Sequence, residues 1–306
     1  MTKIMVTGAS GFVGRHLIDL MLRRGDSIIA LGGAKTNKSE DASKKSPSFL
    51  VIDLMNRSDL SLVDFLEVDY VVHLAGLAAV GPSFDNPMQY IETNVGIEIN
   101  LFEEALRQKA FPKFLIVSSG SVYDPASSMP ITEDSPILPN SPYSLSKIGQ
   151  EQAAKYYSTR GFECVIARPF NHIGPGQGPG FIVSDLSSQI KSKSTSSISV
   201  GNLETKRDYT DVRDIARAYR MLLESGKSGE TYNVCSGSSV SGRTVLDKLL
   251  HISGTTKEVI IDRSKLRPTD VVDIYGSHDK LTRHTGWEPM ISLDRTLEDV
   301  MASIRA

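Results

Sequence analysis

Apolar residues in the N-terminal half fall into short unbroken runs separated by longer segments with helical spacing. Lys3–Thr7 (KIMVT), Ser27–Leu31 (SIIAL), Phe49–Ile52 (FLVI), Tyr70–Leu74 (YVVHL), Phe114–Ser118 (FLIVS) and Glu163–Ala167 (ECVIA) read as strands. Between them, Phe12–Arg24 places Val13, Leu17, Leu20 and Met21 on one helical face, and helices are also expected over Asn94–Lys109 and Pro142–Arg160. All-apolar strands alternating with helices predict a parallel sheet buried on both faces, an α/β doubly wound architecture. The pattern changes after Arg168. Glycine and proline crowd HIGPGQGPG, Lys191–Ser199 is serine-rich, and DIARAYRMLLES, VLDKLLHIS and KEVIID are shorter pieces of helix and strand. We expect a first domain over 1–167, to which later segments return, and a smaller C-terminal lobe mainly over 168–306. Lys35–Ser48 reads as a polar surface loop.

Composition narrows the function classes. With 34 basic and 36 acidic side chains in 306 residues, the formal charge of -2 supplies no field for a nucleic-acid backbone or an anionic membrane. Cys164 and Cys235 sit in apolar runs and read as buried thiols, and no Cys/His cluster has zinc spacing. No apolar run reaches the roughly 18 residues that span a bilayer, and the N-terminus lacks a signal-peptide pattern. The expectation is a soluble cytoplasmic protein.

The first strand runs straight into Gly8-Ala9-Ser10-Gly11-Phe12-Val13-Gly14 and then a helix. Glycine in such a turn permits a tight bend, close backbone approach to a pyrophosphate, and helix–strand packing. The helix N-terminus adds free N–H groups. In this strand–turn–helix context the motif predicts a Rossmann-type dinucleotide site. The second strand ends Ala30-Leu31-Gly32-Gly33-Ala34-Lys35, without the acid that would hold a ribose 2′-hydroxyl. Lys35 or Lys38 can instead meet a 2′-phosphate, so NADPH is the expected cofactor, with NADH as the alternative. Tyr143 and Lys147 stand four residues apart in an expected helix and so share a face. A lysine charge stabilises tyrosinate and suits the tyrosine to proton transfer at a carbonyl.

The G-x-x-G-x-x-G spacing, TGASGFVG around it and Tyr143-Ser144-Leu145-Ser146-Lys147 together resemble the extended short-chain dehydrogenase/reductase family. The resemblance implies that Gly8, Gly11, Phe12, Val13 and Gly14 hold the pyrophosphate. It further implies that Asp53 and Leu54 meet the adenine, that Leu74, Ala75 and Gly76 border the cofactor, and that Asn94 supports the site as one of the cofactor residues. Ser119 in VSSGSVY would complete a Ser–Tyr–Lys triad, with Ser118 as the alternative register; Tyr143 and Lys147 would also touch the cofactor. Dehydratases of the family carry acid/base carboxylates just after that Ser/Thr. Here the positions are Gly120 and Ser121, which favours ketone reduction, with Ser121 facing substrate.

Arg168-Pro169-Phe170-Asn171-His172-Ile173-Gly174-Pro175-Gly176-Gln177 and the later strings VGNLETKRDYTDVRDI, TYNVCSG, LRPTDV and GSHDKLTRHTGWEP resemble the GDP-4-keto-6-deoxy-D-mannose reductases. That resemblance implies Arg207 and Arg267 on the diphosphate, where a planar guanidinium pairs bidentately, Asn171 near the sugar-linked phosphate, and Asn202 near the base. His172, His73 and Trp287 read as structural. The implied partner is a GDP-linked 4-keto-6-deoxy sugar, reduced to GDP-D-rhamnose or GDP-6-deoxy-D-talose. The alternatives are a nucleotide-sugar 4-epimerase, a 4,6-dehydratase, or a non-catalytic cofactor-sensing relative. Relatives pair through two helices each, so a homodimer is expected, joined by the helices around 94–109 and 142–160.

Overall fold

The apolar runs form strands because their alternate residues are wanted on both sides of one sheet. In the computed structural model, which describes residues 2–33, 47–265 and 271–304, the N-terminal half is β1 (Lys3–Thr7), α1 (Phe12–Arg23), β2 (Ser27–Gly32), β3 (Ser48–Val51), α2 (Arg57–Leu60), β4 (Tyr70–His73), α3 (Val80–Ser83), α4 (Pro87–Arg107), β5 (Lys113–Val117), α5 (Pro142–Ser158) and β6 (Cys164–Pro169). Then follow β7 (Asn171–Ile173), α6 (Ile182–Lys191), β8 (Ser197–Val200), β9 (Lys206–Asp211), α7 (Val212–Ser225), β10 (Thr231–Val234), β11 (Ser239–Ser241), α8 (Gly242–Ser253), β12 (Glu258–Ile261), β13 (Asp273–Ile274), α9 (Asp279–Thr285) and α10 (Leu293–Ser303). Lys35, Lys38 and Arg267, named above, lie outside the described residues, as does most of the Lys35–Ser48 stretch.

Seven parallel strands make the large sheet in the order β10-β6-β5-β4-β1-β2-β3, the Rossmann-type doubly wound arrangement. Ile4 and Val6 of β1, Val72 of β4, Leu115 of β5 and Val165 and Ala167 of β6 pack on one face against Leu17 and Met21 of α1 and Tyr219 and Leu222 of α7. Met5, Val71, Phe114, Ile116, Cys164 and Ile166 point to the other face, onto Leu101 and Phe102 of α4 and Ala154 and Tyr157 of α5. The Phe102 ring lies 4.2 Å from that of Phe114 and 4.4 Å from that of Tyr157. A period of two with both faces apolar explains why the runs read as continuous.

The later segment β10 joins the large sheet beside β6. A smaller sheet centres on β9, flanked by β11 and β13, with β7 also pairing β9; β8 pairs β12. Helices α6, α8 and α10 bury Val183, Leu186, Val245, Leu249, Leu297 and Val300 around these short strands. One boundary differs from the sequence reading. The helix expected from Asn94 begins at Pro87, the favourable first-turn position for proline after Asn86. Asn94 is therefore a mid-helix residue. Cys164 and Cys235 are buried free thiols, and Trp287 is fully buried with Nε1 donating to the Asp214 carbonyl at 3.0 Å. Among the described residues no helix is long and apolar enough to cross a membrane, and no His/Cys/Asp/Glu group is arranged to hold a metal.

Candidate active site

The strand order reverses between β1 and β4, and a crevice opens at their carboxyl ends. Gly8 takes φ +65°, and a Cβ there would stand 2.8 Å from the Ala75 nitrogen. A Cβ on Gly14 would stand 2.4 Å from the Gly8 carbonyl oxygen, so only glycine lets α1 start this close to the β1 turn. Thr7 ties the two strand ends together: its Oγ1 accepts from the Leu74 and Ala75 amides at 3.1 Å each and lies 2.9 Å from His73 Nδ1. Burial, with the Lys147 charge assisting, lowers the His73 pKa to about 3, so the imidazole is a neutral structural strut. Helix α1 begins after Gly11 with no side-chain cap, leaving its first amides, including those of Phe12 and Val13, for an anion. A close-approach glycine turn beneath an uncapped helix end fits a dinucleotide pyrophosphate.

The neighbouring cofactor candidates have different surroundings. Leu54 is buried in the α4 face of the core, whereas Asp53 is exposed; its amide donates to Asp59 Oδ2 and its Oδ1 accepts from the Met55 amide, both at 2.9 Å. Gly76 leaves space that Asn94 fills, since a Cβ there would stand 2.6 Å from Asn94 Oδ1. Asn94 was expected among the cofactor residues. Its side chain is instead spent inside the protein: Oδ1 accepts from the Leu77 amide at 2.7 Å, and Nδ2 donates to the Leu77 carbonyl at 3.2 Å and to Ser146 Oγ at 2.9 Å. It therefore clamps the loop after β4 to α5 and acts by positioning.

The local sequence of α5 sets Tyr143 and Lys147. Ser141 caps the helix, its Oγ accepting from the Ser144 amide at 3.1 Å while Ser144 Oγ accepts from the Ser141 amide at 3.0 Å; Pro142 opens the first turn. Tyr143 is 8% exposed, and its ring stands edge-on to Tyr90, with centroids 6.4 Å apart. Burial raises the phenol pKa, the Ser119 hydroxyl beside it pulls it down, and Tyr90 raises it slightly further. The Lys147 ammonium stands 5.9 Å from the Tyr143 ring centroid and donates to the Val117 carbonyl at 2.9 Å and Gln150 Oε1 at 2.8 Å. Burial brings its pKa down to about 8, against the supporting charges of Glu98 and Glu151.

The two serines at the end of β5 have different neighbours. Ser118 is buried and donates to Glu151 Oε1 at 2.5 Å, whereas Ser119 starts the short turn Gly120–Val122 and faces Tyr143. A Cβ at Gly120 would meet the Phe170 ring at 3.0 Å, so no side chain fits there without moving that ring. Ser121 Oγ is buried and makes no hydrogen bond.

The substrate candidates gather around β9. Asn171 is exposed on β7 and pairs in register with Tyr209, two residues along β9 from Arg207. Arg207 Nη1 donates to the carbonyls of Lys206 and Val271 at 2.8 and 2.7 Å. Its neighbour Asp208 is buried and serves as an acceptor for the amides of Ser236 and Gly237. Asn202 lies between β8 and β9 and accepts from the Glu204 amide at 3.0 Å. His172 stacks on Phe12 with centroids 6.1 Å apart, and burial lowers its pKa, so it packs the Gly/Pro loop onto α1.

Sequence reasoning missed a buried polar network under Lys147. Arg168 grips Glu151 bidentately, Nε to Oε1 at 2.8 Å and Nη2 to Oε2 at 2.7 Å. Gln150, which accepts from Lys147, and the buried Glu98 lie beside it. The only cue was the pair Gln150-Glu151, one turn after Lys147 and on its face of α5.

The chain matches the family model described as GDP-mannose 4,6 dehydratase over residues 5–300. It is 32% identical to GDP-6-deoxy-D-mannose reductase of Pseudomonas aeruginosa, over 98% of this chain and 96% of that protein. It is 31% identical to a putative UDP-glucose 4-epimerase of Methanocaldococcus jannaschii, over 97% of each. Among solved structures, RMD from Pseudomonas aeruginosa complexed with NADPH superimposes with a TM-score of 0.84 at 30% identity, covering 99% of this chain and 98% of that one.

Proposed function

The chain belongs to the GDP-mannose 4,6 dehydratase family, and on that premise we propose that it is an NAD(P)H-dependent reductase of the C4 ketone of a GDP-linked 4-keto-6-deoxy sugar. The substrate is GDP-4-keto-6-deoxy-D-mannose and the product GDP-D-rhamnose or its C4 epimer GDP-6-deoxy-D-talose. The observation that carries the reading is the pairing of Tyr143 and Lys147 with Ser119 beside a closed Gly120 position. A 4,6-elimination needs an acid and a base at the sugar, and Phe170 occupies the space a carboxylate side chain would take at Gly120. Reduction needs one proton donor, which Tyr143 supplies.

Gly8–Gly14 and Leu74–Gly76 would hold NAD(P)H, which would supply the hydride when bound. The Ser119 hydroxyl donates a hydrogen bond to the ketone oxygen and polarises it. Tyr143 gives that oxygen its phenolic proton as the C–O bond becomes single. Lys147, beside the phenol, stabilises the resulting tyrosinate until solvent returns the proton. Arg207 and Arg267 receive the diphosphate, Asn171 the sugar-linked phosphate and Asn202 the base. The chain pairs into a homodimer through α4 and α5, which expose Met88, Leu145 and Tyr156.

Purified protein given GDP-4-keto-6-deoxy-D-mannose is expected to consume NADPH stoichiometrically. Turnover of a 4-hydroxy GDP-sugar with no reduced cofactor added would replace this reading with epimerisation. The ammonium form of Lys147 is the active one, present below its pKa and lost above it. The reduction rate is therefore expected to fall as pH rises through about 8, the value to which burial lowers Lys147.

A further inference from the structure

The interior between α4 and α5 contains a carboxyl group that packing alone does not account for. Glu98 is 0% exposed, and neither of its oxygens has a hydrogen bond of good geometry, although the Gln150 amide stands beside it. An unsatisfied buried carboxyl destabilises a fold, and an apolar side chain of similar volume would serve packing better. Across the seam the Nε2 of Gln150, also buried, lacks an acceptor, while its Oε1 takes a hydrogen bond from Lys147 Nζ at 2.8 Å.

The two helices run in register here. Asn94 reaches Ser146; one turn further along each helix, at the same sequence separation, Glu98 comes opposite Gln150. The orphaned acceptor and the orphaned donor therefore belong to the same level of the seam, and the other end of that amide holds the Lys147 ammonium.

We propose that Glu98 is a positioning residue for Lys147: it engages Gln150 Nε2, which turns the amide so that Oε1 faces the ammonium, and its carboxyl supports that buried charge. This rests on the reading of Lys147 given above. The titratable groups that bear on Glu98 are Lys147 and Glu151 from α5 and Cys164 from β6. Behind them stand Arg168 on β6, bound to Glu151, and His73 on β4, which feels Lys147. Burial raises the Glu98 pKa well above the usual carboxylate range, while Lys147 and the Gln150 amide pull it back down.

The link is tested first without substrate. Protein carrying 13C in its glutamate carboxyls is titrated by NMR, and the Glu98 resonance is identified by its loss in Glu98→Gln. In Lys147→Met the Glu98 midpoint is expected to rise by about 1 pH unit or more, because a nearby opposite charge has gone. Turnover is then compared in two variants. Glu98→Leu, which removes the unsatisfied group, is expected to unfold at no lower temperature than the wild type. It should nevertheless lose about 10-fold or more in kcat through misplacement of Lys147, with the alkaline limb of its pH profile moved to lower pH. Glu98→Gln keeps an acceptor for Gln150 and is expected to recover most of kcat. An unmoved Glu98 midpoint in Lys147→Met overturns the proposal, as does a Glu98→Leu enzyme with wild-type rate and pH profile. Absence of ketone reduction in the wild type defeats the functional reading instead, and the NMR midpoint then decides the Glu98–Lys147 link by itself.

Discussion

Tyr143→Phe is expected to lower kcat/KM for ketone reduction by about two to four orders of magnitude, the usual contribution of a positioned general acid, while NADPH binding stays near wild type. The substitution deletes one oxygen and keeps the ring that packs edge-on to Tyr90. The bonds that hold the neighbouring ammonium run to Val117 and Gln150 and do not involve the phenol. The capping box of Ser141 and Ser144 is likewise untouched, so the start of α5 keeps its place. What is lost is the proton donor together with its hydrogen bond to Ser119, which remains to polarise the carbonyl. Steady-state loss of NADPH absorbance measures the rate, and quenching of protein fluorescence measures cofactor affinity. A variant that reduced the sugar at more than a tenth of the wild-type rate would remove Tyr143 from the reaction.

The second large effect is on stability. Glu151→Ala is expected to destabilise the fold by about 3–5 kcal/mol, because removing one member of a buried ion pair strands the other. Glu151 and Arg168 are 0% and 3% exposed, and two parallel hydrogen bonds join them. Ser118 loses its acceptor in the same change. The guanidinium would keep its contact with Tyr123, whose ring centroid lies 4.7 Å away, a weak substitute for a carboxylate. Urea unfolding of the variant beside the wild type gives the difference; a loss below about 1 kcal/mol would mean that water reaches the pair and screens it. The same pair links the end of β6 to the middle of α5, so its rupture also loosens the base on which Lys147 stands.

Much of this was legible locally. Six apolar runs located β1 to β6 within a residue or two. Five lie inside the sheet, where burial on both faces leaves few polar positions to confuse the pattern; the edge strand β3 is apolar yet exposed along its length. Two of the glycine constraints are local too: the left-handed φ of Gly8 and the 2.4 Å that a Cβ on Gly14 would leave to the Gly8 carbonyl belong to one turn and the helix that follows it. The four-residue step from Tyr143 to Lys147 needed only the helical repeat.

The sequence by itself thus determined the strand–helix alternation, the glycine turn and a tyrosine and lysine on one helical face, since each depends on neighbours within a few residues. The tertiary structure alone decided which serine of β5 faces Tyr143, that Phe170 closes the Gly120 position, that Asn94 clamps a loop, and that Glu98 lies opposite Gln150. Those outcomes depend on side chains brought together from separate elements, where chain spacing carries no signal and burial sets whether a polar group has a partner.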